Sequence, residues 1–281
     1  MRRAVACLTA GLFAGMASPA SAAVTLGQLS PVLATQCAEV RDFVPLTVTS
    51  GNQYRVPGAG TITSWSTNGR PGLDQSLALK VYNRIADPDV YAVVGHDGPR
   101  PLSAAGGIQT FPANIPVGSG QVIGLSTPAG PSLPGCAFPA AGDALRVYEG
   151  NLGDGGVGNF ALVEPDFRLN VTAVFTPSNS FTVGRTRANR KKGTATAELT
   201  VPNNGELAVT GKGVTGAVAA SGAMAVMAGK VNVTIRAKGK KRKKLNAEGK
   251  VAVAPTLTYT PAGGTASTQT LKLKLRKKRK R

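Results

Sequence analysis

The sequence predicts an all-β protein with two β-sandwich domains after a cleaved signal peptide, and three features indicate this class. Apolar and polar residues alternate along most of the chain, which places apolar side chains on one face of an extended strand. Turn-forming residues separate the alternating runs. The 35 glycines and 19 prolines among 281 residues stay below the share typical of a disordered chain, and this length suits two domains.

The first 22 residues have the three parts of an export signal. Arg2 and Arg3 form a basic start, residues 4–17 are apolar, and Ala20-Ser21-Ala22 matches a small-residue cleavage site. No later window offers the run of about 20 apolar residues that a membrane-spanning helix needs. We therefore predict a signal peptide over residues 1–22 and a mature protein that is secreted or cell-wall associated, with no transmembrane segment.

The first domain is predicted to be a jelly-roll-like sandwich over residues 23–177. Its strands are expected at Leu77–Tyr82, Val90–Val94, Gln121–Leu125, Leu145–Tyr148, Phe160–Val163 and Leu169–Phe175. Turns are expected at Asn68-Gly69, Asp97-Gly98-Pro99, Ala129-Gly130-Pro131 and Asp154-Gly155-Gly156. The proline and small polar residues of Thr176–Ser180 then mark the domain boundary.

Two cysteines, Cys37 and Cys136, remain in the mature chain. In an oxidising compartment two thiols most simply form a disulfide, here closing a loop of about 100 residues. Two free buried thiols are the alternative. A metal site is a poorer explanation, because the chain has no CxxC spacing and its one histidine is His96. The sequence thus predicts a structural disulfide and no metal or cofactor.

The second domain is predicted to be an immunoglobulin-like sandwich over residues 178–275, followed by a basic tail, residues 276–281. Strands are expected at Ala195–Val201, Leu207–Val209, Val231–Ile235, Lys250–Tyr259 and Leu271–Leu275. Pro255 suggests an edge or a bulge in the fourth of these. The segment Ala217–Ala228 is ambiguous between helix and strand, and we choose strand.

Several motifs of both domains resemble secreted actinobacterial proteins. The second domain resembles their immunoglobulin-like module through Phe181-x-x-Gly184, Arg190–Thr196, Val201-Pro202-x-x-Gly205, Thr210–Val214 and Thr258–Gly264. The first domain is similar to β-sandwich domains of the same bacteria through Ile62–Ser66 and Tyr91–His96. Some relatives continue from a segment like Val163–Asp166 into calcium repeats, but Phe167-Arg168-Leu169 follow here. Because these families are largely uncharacterised, the resemblance implies compartment and fold and assigns no activity.

Positive charge is concentrated in the second domain. Residues 180–281 contain 23 Lys and Arg against three acids, whereas residues 24–179 contain eight against eleven, and the whole chain carries +19. Such asymmetry predicts a module that seeks negatively charged surfaces. The predicted polyanion-binding residues are Lys238, Lys240, Lys241, Arg242, Lys243, Lys244, Lys272, Lys274, Arg276, Lys277, Lys278, Arg279, Lys280 and Arg281.

The alternating up and down direction of the predicted strands places these basic residues at one end of the second domain. If the loops are simple reversals, the run that follows Val231–Arg236 and the C-terminal tail leave the sandwich at the same end. The predicted partner is an anionic cell-wall polymer or an acidic polysaccharide, held by charge neutralisation. Specific nucleic-acid binding fits poorly, because the chain is exported and no aromatic residue lies between Phe181 and Tyr259 to stack on bases. The alternative is that the lysines only keep a β-edge soluble.

A neutral-sugar site in the first domain is the second hypothesis. Aromatic rings stack on pyranose faces and carboxylates bind hydroxyls, so the candidate residues are Trp65, Tyr82, Tyr91, His96 and Asp97. Trp65 and Tyr82 also fit the strand alternation as core residues, and His96 fits the cap of a turn.

An enzyme is the class that the sequence argues against. A Ser-His-Asp arrangement has only His96 available, and no G-x-S-x-G, GxxxxGK[ST] or HExxH motif occurs. A pair of carboxylates in the first domain remains the catalytic alternative. We predict an exported non-enzymatic binding or structural protein of the cell envelope or extracellular space.

Overall fold

The computed structural model describes residues 23–86, 89–216 and 222–278. Three predictions lie wholly or partly outside these residues: the signal peptide, the start of the ambiguous segment at 217–221, and the last three basic residues, 279–281. The described residues form 22 strands and one helix. The protein is therefore all-β, as predicted.

The first domain contains twelve strands: β1 (Val24–Gln28), β2 (Thr35–Gln36), β3 (Arg41–Thr47), β4 (Gly60–Gly69), β5 (Ser76–Ala86), β6 (Val90–Pro101), β7 (Gly107–Val117), β8 (Val122–Thr127), β9 (Gly135–Tyr148), β10 (Val157–Asn159), β11 (Leu162–Leu169) and β12 (Val171–Pro177). They form a sheet of order β1-β12-β4-β7 and a second of order β10-β6-β5-β8-β3-β9-β11, with β2 beside β9. Both sheets contribute to one core, among others Ile62, Trp65 and Phe175 from the first and Leu79, Ile123 and Leu125 from the second.

The eight-stranded sheet also carries a smaller apolar cluster, which includes Val44, Tyr82, Tyr91, Val93, Val122 and Phe160. Phe160 lies between β10 and β11, although the sequence predicted a strand over Phe160–Val163. Its ring meets the rings of Tyr82, Tyr91 and Tyr148 with centroids 5.2–5.5 Å apart. The segment after β9 therefore packs on the sheet through the pairing of β10 with β6 and through the aromatic contacts of Phe160.

The disulfide is formed as predicted. Cys37 and Cys136 are bonded, with their Cα atoms 5.8 Å apart, and both are buried in the main core of the domain. Cys136 lies in β9 and Cys37 follows β2, so the bridge ties the start of the domain to one of its longest strands.

The second domain contains β13 (Thr182–Asn189), β14 (Thr194–Val201), β15 (Gly205–Thr210), β16 (Val214–Gly216), β17 (Ala223–Val226), β18 (Gly229–Ala237), α1 (Gly239–Glu248), β19 (Lys250–Val253), β20 (Thr256–Pro261), β21 (Ser267–Thr270) and β22 (Leu273–Arg276). The sheets have the orders β13-β14-β18-β16 and β17-β15-β20-β21, and β19 pairs with β22. One core joins all three sheets through residues such as Leu199, Ile235, Leu207, Leu257 and Leu275.

The single strand predicted over Lys250–Tyr259 is two strands in different sheets. β19 pairs with β22, while β20 pairs with β15 and β21. Pro255 lies between them and has no N–H to donate to a sheet. The ambiguous segment ends in strand β17, in agreement with the strand assignment for its described part.

Candidate functional site

The basic run after β18 forms a helix, whereas the sequence analysis expected a simple reversal. Lys, Arg, Leu, Ala and Glu are strong helix formers, and they make up most of α1. Gly249 ends the helix with a left-handed φ of 72°, and its N–H donates to the carbonyl oxygen of Leu245 at 3.0 Å. Leu245 is the buried residue of α1 and joins the domain core, so one apolar side chain anchors a helix that contains five consecutive cations before it.

Four segments of the second domain meet at one end of the sandwich, here called the cationic end: the hairpin 190–193, the turn 211–213, α1 and the end of β22. Thr194 pairs with Arg236 in the sheet, which brings the hairpin to the start of α1. The N–H of Lys238 donates to Gly213 at 2.8 Å. The N–H groups of Lys277 and Lys278 donate to Gly249 and Arg190, each at 2.8 Å.

A groove of about 590 Å³, the cationic groove, lies between these segments. Five cationic side chains line it, and its described lining contains no carboxylate. Thr194, Thr215 and Asn246 add neutral hydrogen-bonding groups. The cations of the lining are Lys192, Arg236, Lys238, Arg242 and Lys277.

The cationic groove continues along the β14–β18 face of the sheet. A neighbouring hollow shares Lys192, Thr194 and Arg236 with it and adds Asn189, Thr196 and Thr234. A third hollow shares Asn189 and Thr196 with the second and is also lined by Arg185, Arg187, Arg190, Asn232 and Glu198. The result is an elongated polar channel in which cations outnumber the single carboxylate of Glu198.

A second cationic hollow, of about 600 Å³, lies on the other flank of α1. Its cations are Lys212, Lys241, Lys272 and Lys274, above an apolar floor that includes Ala252, Val253 and Leu273. The ammonium of Lys241 donates to the carbonyl oxygen of Ala252 at 3.0 Å. Lys274 faces Ala252 across the β19–β22 pair.

The structure thus brings most of the fourteen predicted cations to the cationic end. Lys240, Lys243 and Lys244 are exposed on α1, and Arg276 pairs with Lys250 at the end of β22. Lys244 lies 3.6 Å from Glu248, the one acid of the helix. Residues 279–281 are outside the described part.

The cations of the site that were not among the predicted site residues include Arg190, Lys192, Lys212 and Arg236. The motif Arg190–Thr196 was visible in the sequence as part of a resemblance, but nothing local places it beside α1. The signal that could have found it is the antiparallel pairing of β14 with β18, which joins residues about 40 positions apart.

The electrostatics of α1 favour an anion at its start. The positive end of the helix dipole disfavours cations in the first turn. That turn nevertheless holds only cations among its charged residues and contains no acidic residue. Lys240 and Lys244 are four residues apart and repel each other. Of the cations at the helix start, Lys238 and Arg242 line the cationic groove, so an anion in the groove would meet both of them.

The rings proposed for sugar binding are buried in the first domain. Trp65 and Tyr82 have no exposed surface, and Tyr91 is 5% exposed. Trp65 packs against Phe111 with centroids 4.8 Å apart, and Tyr82 packs against Phe160. No face of these three rings is available to stack on a pyranose, so a sugar face built on them is wrong and the core interpretation of Trp65 and Tyr82 is confirmed.

His96 and Asp97 lie within β6, not in the turn that the sequence analysis expected. The Nδ1 atom of His96 lies 2.7 Å from Asp154 Oδ1 at the surface. Asp97 accepts hydrogen bonds from the Trp65 indole at 2.7 Å and from Arg100 at 2.7 and 3.0 Å. The hydrogen bonds from Arg100, followed by that from Trp65, lower the pKa of Asp97 despite its partial burial. Asp97 is therefore committed to contacts within the domain.

Within residues 23–86, 89–216 and 222–278, no cluster of three or more His, Cys, Asp or Glu has a metal-binding arrangement. In that same part of the chain no helix has the length and apolar character to span a membrane. No protein-family model matches the chain, and no curated protein matches its sequence. Fold and candidate site together define an all-β sandwich protein with a cationic groove at one end of its second domain.

Proposed function

We propose that this chain is an exported, non-enzymatic protein whose second domain, an immunoglobulin-like module, binds an anionic polymer of the cell envelope or extracellular matrix. The observation that carries the proposal is the cationic groove, where five cations from the hairpin 190–193, β18, the start of α1 and the end of β22 surround one space with no carboxylate in the described lining. A wall polymer with repeating phosphates or an acidic polysaccharide has the matching chemistry.

The elongated form of the site favours a polymer over a small anion. Side chains on one face of a strand repeat every two residues, about 6.6 Å apart, and Thr194 and Thr196 on β14 follow this spacing along the channel. Cations continue beyond the groove to Arg190, Arg187 and Arg185. A chain of repeating negative groups can occupy several of these positions at once and release counterions at each.

Export is supported by the N-terminal signal pattern and by the buried disulfide, because disulfides persist in oxidising compartments. The immunoglobulin-like assignment is supported by the strand orders of the second domain. Its first two strands pair with each other and the second of them pairs with β18, while β15 pairs with β20 in the opposite sheet.

Binding to immobilised poly(glycerol phosphate), with a neutral glucan of similar length as the comparison, tests the proposal. We expect the affinity of the mature chain for the phosphate polymer to fall roughly 10²- to 10³-fold between 50 and 200 mM salt if about five phosphates are engaged. The double variant Arg242→Gln/Lys277→Gln should bind more weakly and show a shallower salt dependence, since two contacts are removed.

The matched control is Arg55→Gln/Arg84→Gln, which removes the same charge from exposed positions of the first domain. If this control weakens binding as much as the groove variant, net charge and not the groove is responsible. Salt-insensitive binding to the neutral glucan would instead support the carbohydrate-binding alternative. Absence of binding to the phosphate polymer at 50 mM salt would leave the lysines with a solubilising role only.

A further inference from the structure

Lys80 is a buried cation in the first domain, at a distance from the cationic groove. It lies on β5 with 3% of its surface exposed. Its ammonium donates to Asp42 Oδ1 at 2.8 Å, to Asn151 Oδ1 at 2.6 Å and to the carbonyl oxygen of Leu152 at 2.6 Å. Asp42, on β3, has no exposed surface. A lysine amine, a carboxamide and a carboxylate therefore meet at hydrogen-bonding distance.

The topology of the sheet makes this contact possible. β8 lies between β5 and β3, and the residue of β8 that pairs with Lys80 is Gly124. Gly124 has no side chain, and the Tyr82 ring fills the space beside it, since a Cβ on Gly124 would lie 2.8 Å from Tyr82 Cε2. The long side chain of Lys80 therefore crosses β8 to reach Asp42 on β3. Asp42 holds the partner segment as well, since its Oδ2 accepts the N–H of Leu152 at 3.1 Å.

The surroundings are largely apolar. The aromatic cluster of Tyr82, Phe160 and Tyr148 lies on the same side of the sheet, and Tyr82 is close enough to Asp42 that burial and then the Asp42 charge raise its pKa well above the ordinary value. Removing an ammonium and a carboxylate from water is costly, and a buried ion pair often contributes little net stability.

We propose that Lys80 and Asn151 form an intramolecular isopeptide bond, with Asp42 as the acid–base group that promotes its formation. The three groups already have the contacts that the reaction needs: the nucleophilic nitrogen touches both the amide to be attacked and the carboxylate that takes its proton. Asp42 is placed to take a proton from the Lys80 ammonium, which it contacts at 2.8 Å.

The reaction balances without any co-reactant. The Lys80 ammonium gives one proton to the Asp42 carboxylate, and the neutral amine attacks Cγ of Asn151, so that the Nζ–Cγ bond forms. A second proton moves from Nζ to the amide nitrogen Nδ2 as the Cγ–Nδ2 bond breaks and ammonia leaves. Ammonia takes the proton held by Asp42, which returns to a carboxylate. Nζ keeps its third hydrogen as the N–H of the new amide.

A route for the leaving group is present. A cavity of about 100 Å³ is lined by Lys80, Asn151, Ser126 and His96, among others. Asn151 itself is exposed at the surface, so ammonia released from its side chain reaches solvent directly. Positioning of the reacting groups by the fold supplies much of the rate enhancement in such intramolecular reactions.

The bond would give the first domain a second covalent closure. Cys37–Cys136 joins the domain start to β9, and Lys80–Asn151 would join β5 to the segment after β9, across 71 positions of the chain. Unlike the disulfide, an amide resists reducing conditions. This inference is independent of the proposed polymer binding.

Intact mass measurement of the mature chain after reduction of the disulfide tests the inference. We expect the wild-type mass to be lower than the sequence mass by one ammonia, and a tryptic digest to contain one species that joins the Lys80 peptide to the Asn151 peptide. The variants Lys80→Arg, Asn151→Ala and Asp42→Ala should each have the full sequence mass. Asn151→Ala is the variant least disturbing to the fold, since Asn151 is exposed.

Two outcomes would overturn the inference. The first is a wild-type chain with the full sequence mass and a separate Asn151 peptide. The second is an ammonia deficit without a linked Lys80–Asn151 peptide, which would assign the loss to cyclisation of an asparagine elsewhere, for example at Asn204-Gly205.

Discussion

The carboxylate of Asp97 accepts hydrogen bonds from two side chains, those of Trp65 and Arg100. The indole N–H of the fully buried Trp65 has Asp97 Oδ2 as its acceptor, and Arg100 approaches the same carboxylate with two nitrogens. A buried indole that loses its acceptor costs about 1–3 kcal/mol. Asp97, which the sequence analysis placed at a sugar site, thus contributes to the stability of the core.

This contact predicts a pH dependence of stability. Because Arg100 lowers the pKa of Asp97 in the folded protein, the ionised carboxylate stabilises the fold above the ordinary aspartate pKa of about 3.9, and this contribution is lost as the pH falls through the lower folded value. Asp97→Asn should therefore be less stable than wild type at pH 7, and the difference should shrink towards pH 3.

Thermal unfolding between pH 3 and 7 measures this effect. The control Asp74→Asn changes an exposed aspartate outside the contact and should follow the wild-type pH profile. A stability difference between Asp97→Asn and wild type that is the same at every pH would contradict the electrostatic explanation.

Helix α1 has one buried side chain, that of Leu245, for its apolar attachment to the domain. Leu245 is 3% exposed and belongs to the core cluster that contains Val251 and Leu275. It also lines the cationic groove beside Gly193, where a Cβ would approach it to 3.0 Å. The apolar contact that holds the helix therefore also shapes the site.

Leu245→Ala should lower the free energy of unfolding by about 2–5 kcal/mol, as is typical of a buried leucine truncation. It should also weaken polymer binding at constant net charge, because the groove wall loses its support. Chemical denaturation and the polymer-binding assay measure the two effects. Leu73→Ala, at a leucine that is 70% exposed, is the control and should change stability by about 0.5 kcal/mol or less. Full binding by Leu245→Ala would show that the helix position does not matter to the site.

The strands β19 and β20 show that apolar alternation predicts which side chains are buried but not where one strand ends and the next begins. Val251, Val253, Leu257 and Tyr259 keep one alternating parity, and all four are buried in one core. The alternation therefore correctly predicts which side chains face inward. It contains no information on the change of sheet at Pro255, because both sheets present the same apolar face to the core.

At the scale of the whole molecule, Asn203 joins the two domains. Its side chain accepts from the N–H of Ala59 at 2.7 Å and donates to the carbonyl oxygens of Ala59 and Ser178 at 2.8 and 2.9 Å. Gly58 permits this approach, since a Cβ there would lie 2.1 Å from Asn203 Oδ1. Asn203 of the second domain thus hydrogen-bonds both backbone groups of Ala59 in the first domain.

Asn203→Ala should leave the N–H of Ala59 without its acceptor, which costs about 1–3 kcal/mol if that group stays buried. The carbonyl oxygen of Ala59 keeps the N–H of Ser178 as a donor at 2.9 Å. We expect a lower unfolding temperature and faster proteolytic cleavage within residues 176–180, where the domains connect. The neighbouring Asn204→Ala is the control, because Asn204 Oδ1 accepts from Ala228 within the second domain. Equal cleavage rates for both variants would argue against Asn203 as the link between domains.

The amino-acid sequence by itself determined the fold class, the disulfide pair and the charge asymmetry, because alternation, cysteine number and composition are properties of the chain alone. Only the tertiary structure decided which distant residues are in contact. Only the pairing of β14 with β18 brings Lys192 to Arg242, and only the order β5-β8-β3 brings Lys80 to Asp42. Residues tens of positions apart become neighbours through strand pairing. A two-residue period in the sequence predicts which face of the sheet a side chain lies on, but it contains no information on which strand lies next to it.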